Sequence, residues 1–346
     1  MKKSFALILA LCMLFTLAAC AGKASVSTSG SGIECSPENP YLVQIAHADG
    51  TTDASVVNLA CNILAEKIAE KSGGAFKLEV FGGGALGTES ECIDGLGTGT
   101  VQMSIGTNPT LANLVKGLSI IDMPYVFASQ EDVNNVVNSE VIGKLYDELY
   151  EKYGIKVLAT CKSGFKNILT SYGFTKSPAD LAGKKFRAIS APVSIDIFNY
   201  LGGSGTGMAM SEVITALQQG TIDGLDNPIC TVYSGGLHNV AKYYTLTRHA
   251  YNAVSFCMSR SEWERMSEEQ QNWWLEAARE AAAEQIAQSE IMEETYLQKM
   301  IDEGCNVSED VDEEAMRAAV EPMYEAYRSV IGGDVMDAVL EIVGKK

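Results

Sequence analysis

The sharpest chemical signal in this 346-residue chain is an arginine inside a short apolar run. Arg187 stands in "KKFRAI" beside Phe186, Ala188 and Ile189, and that pattern predicts a short strand close to core packing. A guanidinium near the interior needs an anion, and its planar fork fits a carboxylate with two hydrogen bonds. The anion could be a neighbouring Asp or Glu of the chain, or the acid group of a solute. Asn227, in "LDNP", reads locally as a cap ahead of Pro228. Other chemistries find little support. His47, His238 and His249 are scattered without metal-ligand spacing and read as structural. "GGGALG" (82–87) matches G-x-G-x-x-G, but the next strand, "VQMSIGT", ends in no acidic residue that could hold a ribose, so a tight turn is the simpler reading. There is no G-x-S-x-G elbow, and no motif ties a Cys to a His. No metal and no cofactor is expected.

The elements that must position Arg187 alternate. "YLVQIAHA" reads as a strand. "DASVVNLACNILAEKIAEKSGG" reads as a helix capped by Asp53 and ended at Gly73, and "FKLEVF" as a second strand. A helix near 88–97 and the strand "VQMSI" follow. "GIKVLAT" and "KKFRAI" continue the alternation, with a short helix started by Ser177-Pro178-Ala179-Asp180 between them. This predicts an α/β layer structure. One sentence is written twice: Ser90, Glu91, Ile93, Leu96, Gly99 and Thr100 return as Ser211, Glu212, Ile214, Leu217, Gly220 and Thr221. Both copies read as helix, glycine cap, strand. Either any α/β chain reuses this punctuation, or two similar lobes flank a cleft. From Ser267 to Gly304 a capping-box start introduces about 36 helical residues, long enough at about 54 Å to brace two lobes. Two shorter helices, near 311–330 and 333–343, close the chain.

A net charge of −18 disfavours nucleic acid and anionic membranes as partners of the general field, so an anion would need local cations. Lys2 and Lys3 precede an apolar segment too short to span a bilayer comfortably, which ends in "LAAC". This resembles a bacterial lipobox: residues 1–19 would be a signal peptide and Cys20 a lipidated N-terminus, held on a membrane by its acyl chains. Residues 21–38, rich in Ser, Gly and Thr, read as a flexible tether, so the folded body is expected from near Pro40. The seven remaining cysteines show no C-x-x-C and read as mostly free, buried thiols.

Longer blocks carry a family resemblance. "GGGALGTESECIDGLGTGTVQMSI", "IDMPYVFAS", "SPADLAGKKFRA", "MAMSEVITALQQGTIDGLDNP" and "KYYTLTRH" together resemble the solute-binding proteins of TRAP transporters, over nearly all of 40–346. The resemblance implies a two-lobed, periplasmic-binding-protein-like α/β fold with a long helix across both lobes. Lobe I would take 40–163 and about 253–292, and lobe II 164–252 and about 293–346. It implies an extracytoplasmic receptor, not an enzyme, that closes on an organic acid and delivers it to an integral-membrane carrier. Arg187 would form the salt bridge to the ligand carboxylate, and Asn227 would bond the same group. Lys166 falls where many members carry a second Arg, which puts a second forked contact in doubt. Ser190, Met210, Tyr233 and Phe165 are lining candidates by position. The rival readings are an ABC-type binding lipoprotein, a surface enzyme acting on a small acid, or an adhesion or scaffold lipoprotein.

Overall fold

The computed structural model describes residues 32–345; the leader, Cys20 and the first part of the tether lie outside them. Among the described residues nine strands form one sheet. They are β1 (Tyr41–Ala46), β2 (Phe76–Phe81), β3 (Met103–Thr107), β4 (Ile155–Thr170), β5 (Lys185–Ala188), β6 (Ser204–Gly207), β7 (Gly224–Asn227), β8 (Tyr243–Ser259) and β9 (Asn306–Ser308). Their order is β2-β1-β3-β8-β4-β7-β5-β6, with β9 beside β8. β1 is parallel to β2 and β3, and β5 is parallel to β6 and β7. β3 pairs antiparallel with β8, and β7 with β4. The halves are therefore the same three-strand unit, joined through two long central strands.

That symmetry answers the repeated sentence. The Glu89–Thr98 helix ends at Gly99, whose φ of 76° turns the chain into β3; the Val213–Gln218 helix is followed by Gly220, φ 67°, which turns it into β7. Glycine takes this left-handed conformation without the cost a Cβ would impose. Each copy delivers its strand to the same position in its half, next to the crossing strands.

The crossing strands β4 and β8 pair antiparallel from Ile155 opposite Ser259 to Thr170 opposite Tyr243. Their register slips between Lys162 and Gly164, opposite Ala253 and Asn252, where the sequence placed the lobe boundaries. A Cβ on Gly164 would lie 2.6 Å from the Glu293 carboxylate and 3.3 Å from the Pro228 ring, and its φ is 125°. The crossing point therefore admits no side chain there.

The Glu268–Asp302 helix braces both halves. Ser267 and Gln270 form its capping box and Gly304 follows it at φ 84°. Its 35 residues run about 52 Å. Trp274, Ala277, Ala278, Ala281 and Ala282 are buried in one core with the Val56–Lys71 helix, and further on it packs against the Ile229–Ser234 helix. Gln285, fully buried, donates to the carbonyls of Val56 and Lys162 (3.3 and 2.6 Å) and accepts from the Lys162 amide (3.1 Å). Lys162 and Glu293 add an ion pair at 3.2 Å. The helix is thus pinned at the level where the strands change lobes.

Two sequence expectations are corrected. The Val56–Lys71 helix is capped by Ser55, whose hydroxyl accepts from the Asn58 amide at 3.1 Å, and not by Asp53. Order begins before Pro40: the Gln270 side chain accepts from the Ile33 amide (2.9 Å) and donates to its carbonyl (2.8 Å), docking the end of the tether on the long helix. The Gly333–Ile342 helix packs on the Glu313–Ile331 helix, on Lys116–Asp122 and on the Gln130–Val137 and Glu140–Tyr153 helices. All seven described cysteines are free thiols, and all but Cys35 are buried.

Candidate functional site

Arg187 lies on β5 with 4% of its surface exposed. Its Nε donates to the Met208 carbonyl at 2.9 Å, but Nη1 is buried without a partner, and no carboxylate stands within ion-pair distance among the described residues. Burial pulls its pKa down; Asp226, Glu89 and Asp49 oppose that from further away. A buried donor left unpaired costs about 1–3 kcal/mol, so this geometry favours any anion that can reach Nη1. Asn227 also keeps an unpaired donor, although it is not among the residues that line the inter-lobe cavity. It is 2% exposed, its carbonyl accepts from the Tyr244 hydroxyl at 2.8 Å, and its Nδ2 has no partner. Arg187 pairs in register with Leu225 of β7, so strand alternation sends Arg187 and Asn227 to one face and Asp226 to the other.

Arg187 opens on a cavity of about 610 Å³ between the lobes. The second lobe contributes Ser190, Met208 and Met210, and the first contributes Gly83, Gly84, Glu89 and Thr110. The glycine run is a turn, as its sequence suggested. Gly83 and Gly84 have φ of 67° and 75°, and their amides donate to the Asp49 and His47 carbonyls at 2.9 and 3.0 Å. Without side chains, this turn keeps the wall of the cavity open. The Asn113 side chain donates to the Ser190 carbonyl at 2.9 Å, tying the lobes together at the rim.

The other candidates stand elsewhere. Lys166, 1% exposed, places Nζ 3.3 Å from Asp226 Oδ2 on the far side of the sheet and does not line the cavity. Asp226 also faces His249 Nε2 at 3.3 Å, and His249 Nδ1 meets the Thr247 hydroxyl at 2.8 Å. Burial alone would raise the Asp226 carboxyl; Lys166, His249 and Arg187 together hold it at about 2. Phe165 packs edge-on against Tyr251 (5.2 Å) beneath the Arg248 guanidinium, outside the cavity lining. Tyr233 stacks on His238 (5.0 Å) and donates to Glu303 (2.8 Å) at the end of the long helix, because its side chain leaves the Ile229–Ser234 helix away from the cleft. Sequence reasoning missed Glu89, Asp49, Asp226 and Asp122. Only Asp226 had a visible cue, its place next to Asn227.

Asp122, on the first lobe, accepts from Asn108 Nδ2 at 2.6 Å. Burial pushes its carboxyl up to about 7, against the pull of Lys166 and the Asn108 bond and with a further push from Asp226. An acid whose folded pKa is raised holds a proton that the unfolded chain has released, so stability falls as pH rises from 3.8, the ordinary aspartate value, to about 7. Asp122→Asn is expected to remove that fall. Melting at about pH 8 should rise by several degrees and at about pH 4.5 hardly change, which a thermal-melt series across pH would check.

A paired α/β sheet whose inter-lobe cavity presents a guanidinium with Nη1 unpaired and no carboxylate beside it among the described residues suits a small anion. The sequence profile of bacterial extracellular solute-binding protein family 7, DctP, matches residues 47–329, and the chain belongs to this family. The C4-dicarboxylate-binding protein DctB of Bacillus subtilis (strain 168) is 29% identical over 82% of this chain and 82% of its own. The sugar acid binding protein DctPAm of Advenella mimigardefordensis, solved with galactonate, is similar at a TM-score of 0.84 and 27% identity, over 88% of this chain and 98% of that one. A TRAP periplasmic solute binding protein from Bordetella bronchispeptica, with density assigned to pantoate, gives a TM-score of 0.82 and 31% identity over 88% and 99%. No helix among the described residues is long and apolar enough to cross a membrane.

Proposed function

We propose that the protein captures a small organic acid outside the cytoplasm by its carboxylate and hands it to an integral-membrane TRAP carrier, without acting on it chemically. The observation that carries this reading is the buried, unpartnered Arg187 Nη1 beside a cavity of about 610 Å³. Arg187 forks onto the carboxylate, the Asn227 amide donates to the same group, and Ser190 and Met210 line the space around it. C4-dicarboxylate, galactonate and pantoate, attached to the three relatives, share a carboxylate and little else. Cys20 carries the acyl chains that hold the receptor near its carrier.

Ligand that binds only the folded state raises its stability. A thermal-shift screen of organic acids should therefore yield at least one that raises Tm and gives a saturable one-to-one isotherm, with the acid recovered unchanged. A transformed acid would make the protein an enzyme, and no shift from any acid would remove the receptor reading. A neighbouring gene for a transport ATPase would point to an ABC system.

A further inference from the structure

The cavity is electrically lopsided. Among its lining residues Arg187 is the only cation, while Glu89, Glu91 and Glu212 are all acids. Two of these acids are occupied at helix starts. Glu91 Oε2 accepts from the Thr88 amide and hydroxyl at 2.8 Å each, and Glu212 Oε2 accepts from the Ala209 amide at 3.1 Å. Glu89 is likewise held through one oxygen, Oε1, which accepts from the Thr107 amide and hydroxyl, both at 2.6 Å, and leaves Oε2 free; of the three lining acids it is the one whose charge acts on Arg187. Asp49 lies in the loop after β1 whose carbonyl holds the Gly83 amide. Burial and then Glu89 push the Asp49 carboxyl up to about 6, while Arg187 pulls it down, so the three groups share one field. Lys166, the one further cation the family pattern offered, is committed to Asp226 on the other face of the sheet.

Resting on the receptor reading, we infer that the cleft selects a monocarboxylate whose far end carries O–H or N–H donors, and that Glu89 on the first lobe rejects a second carboxylate. An ionised carboxylate only accepts hydrogen bonds, so what faces Glu89 Oε2 must donate. With the solute's acid group on Arg187, a hydroxyl or ammonium at the other end meets an acceptor. A carboxylate there meets a like charge and finds no cation among the lining residues to offset it. Specificity of this kind comes from a built-in repulsion as much as from a fitted contact.

Isothermal titration of the full chain with matched pairs tests this: galactonate against galactarate, which differ in a terminal CH₂OH or carboxylate, and 4-aminobutyrate against succinate as the ammonium pair. In whichever pair binds, the monoacid should be favoured by about 100-fold or more, as expected for a desolvated like-charge contact. Glu89→Gln should narrow that gap at least about tenfold, chiefly by improving the diacid. A diacid binding as tightly as its monoacid partner overturns the inference and leaves the receptor reading standing. An unchanged ratio in Glu89→Gln, with the melting temperature kept, overturns the role of Glu89. Should Glu89→Gln fail to fold, the wild-type ratio still decides. Binding by neither member of either pair, nor by any other acid, overturns both readings together.

Discussion

Replacing Arg187 with alanine is expected to weaken binding of the cognate acid by about 30-fold to several thousand-fold, from the roughly 2–5 kcal/mol lost when one partner of a buried charge pair is removed. The guanidinium is already desolvated, with Nη1 unpaired, so the protein has borne that cost before the ligand arrives. The ligand carboxylate then gains a charge-assisted fork in a space closing on water, where the bond is stronger than at a surface. The fold should survive. Among the described residues the only hydrogen bond lost is that of Nε to the Met208 carbonyl, about 1 kcal/mol, and Phe186 and Ala188 keep β5 in the core. Arg187→Lys separates charge from geometry: an ammonium cannot fork, so this variant should fall between wild type and alanine. Titration calorimetry with parallel thermal melts is the measurement. Wild-type affinity in the alanine variant, with melting unchanged, would remove Arg187 from the site.

Arg187 was legible in the sequence because its signal is local. Four residues of a short strand, with an arginine among apolar neighbours, fix both burial and the need for an anion. The capping box at Ser267 and Gln270 and the glycines after both repeat helices are local in the same way, and the structure uses each of them. The crossing strands were not legible. The reading of β4 stopped at Thr160, yet the strand runs on to Thr170. Lys162, Ser163, Gly164, Lys166 and Asn167 look like a polar loop, but each polar group is answered from far along the chain. Lys162 meets Glu293, 131 residues on, and Asn167 meets the Tyr244 hydroxyl, 77 residues on. No window of sequence contains such pairs. Glu89 was hidden for a different reason. An acid in a first turn already has a sufficient local explanation in the helix dipole, so nothing marked it as facing a cavity.

Lys166→Met should behave in the opposite way to Arg187→Ala, losing stability more than affinity. Lys166 and Asp226 have side chains 1% and 0% exposed and lie 3.3 Å apart. Removing the ammonium strands a buried carboxylate that keeps only His249 nearby and Arg187 further off, and breaking such a pair costs about 3–5 kcal/mol. At about 2–4 °C per kcal/mol for a domain of this order of size, melting should fall by roughly 6–20 °C. Asp226→Asn alone removes the lysine's ion pair, leaving Asp122 as the carboxylate that still acts on it, and melting should fall too. The double variant, Lys166→Met with Asp226→Asn, should recover much of the loss, since it removes both charges together and the pair's attraction was offset by the desolvation of each. The coupling energy of that cycle measures the pair directly. If Lys166 instead held a second ligand carboxylate, as an arginine at this place in the family pattern would, Lys166→Met would melt like wild type and bind diacids far more weakly. That outcome would return Lys166 to the cleft and take with it the claim that this receptor offers its solute a single cation.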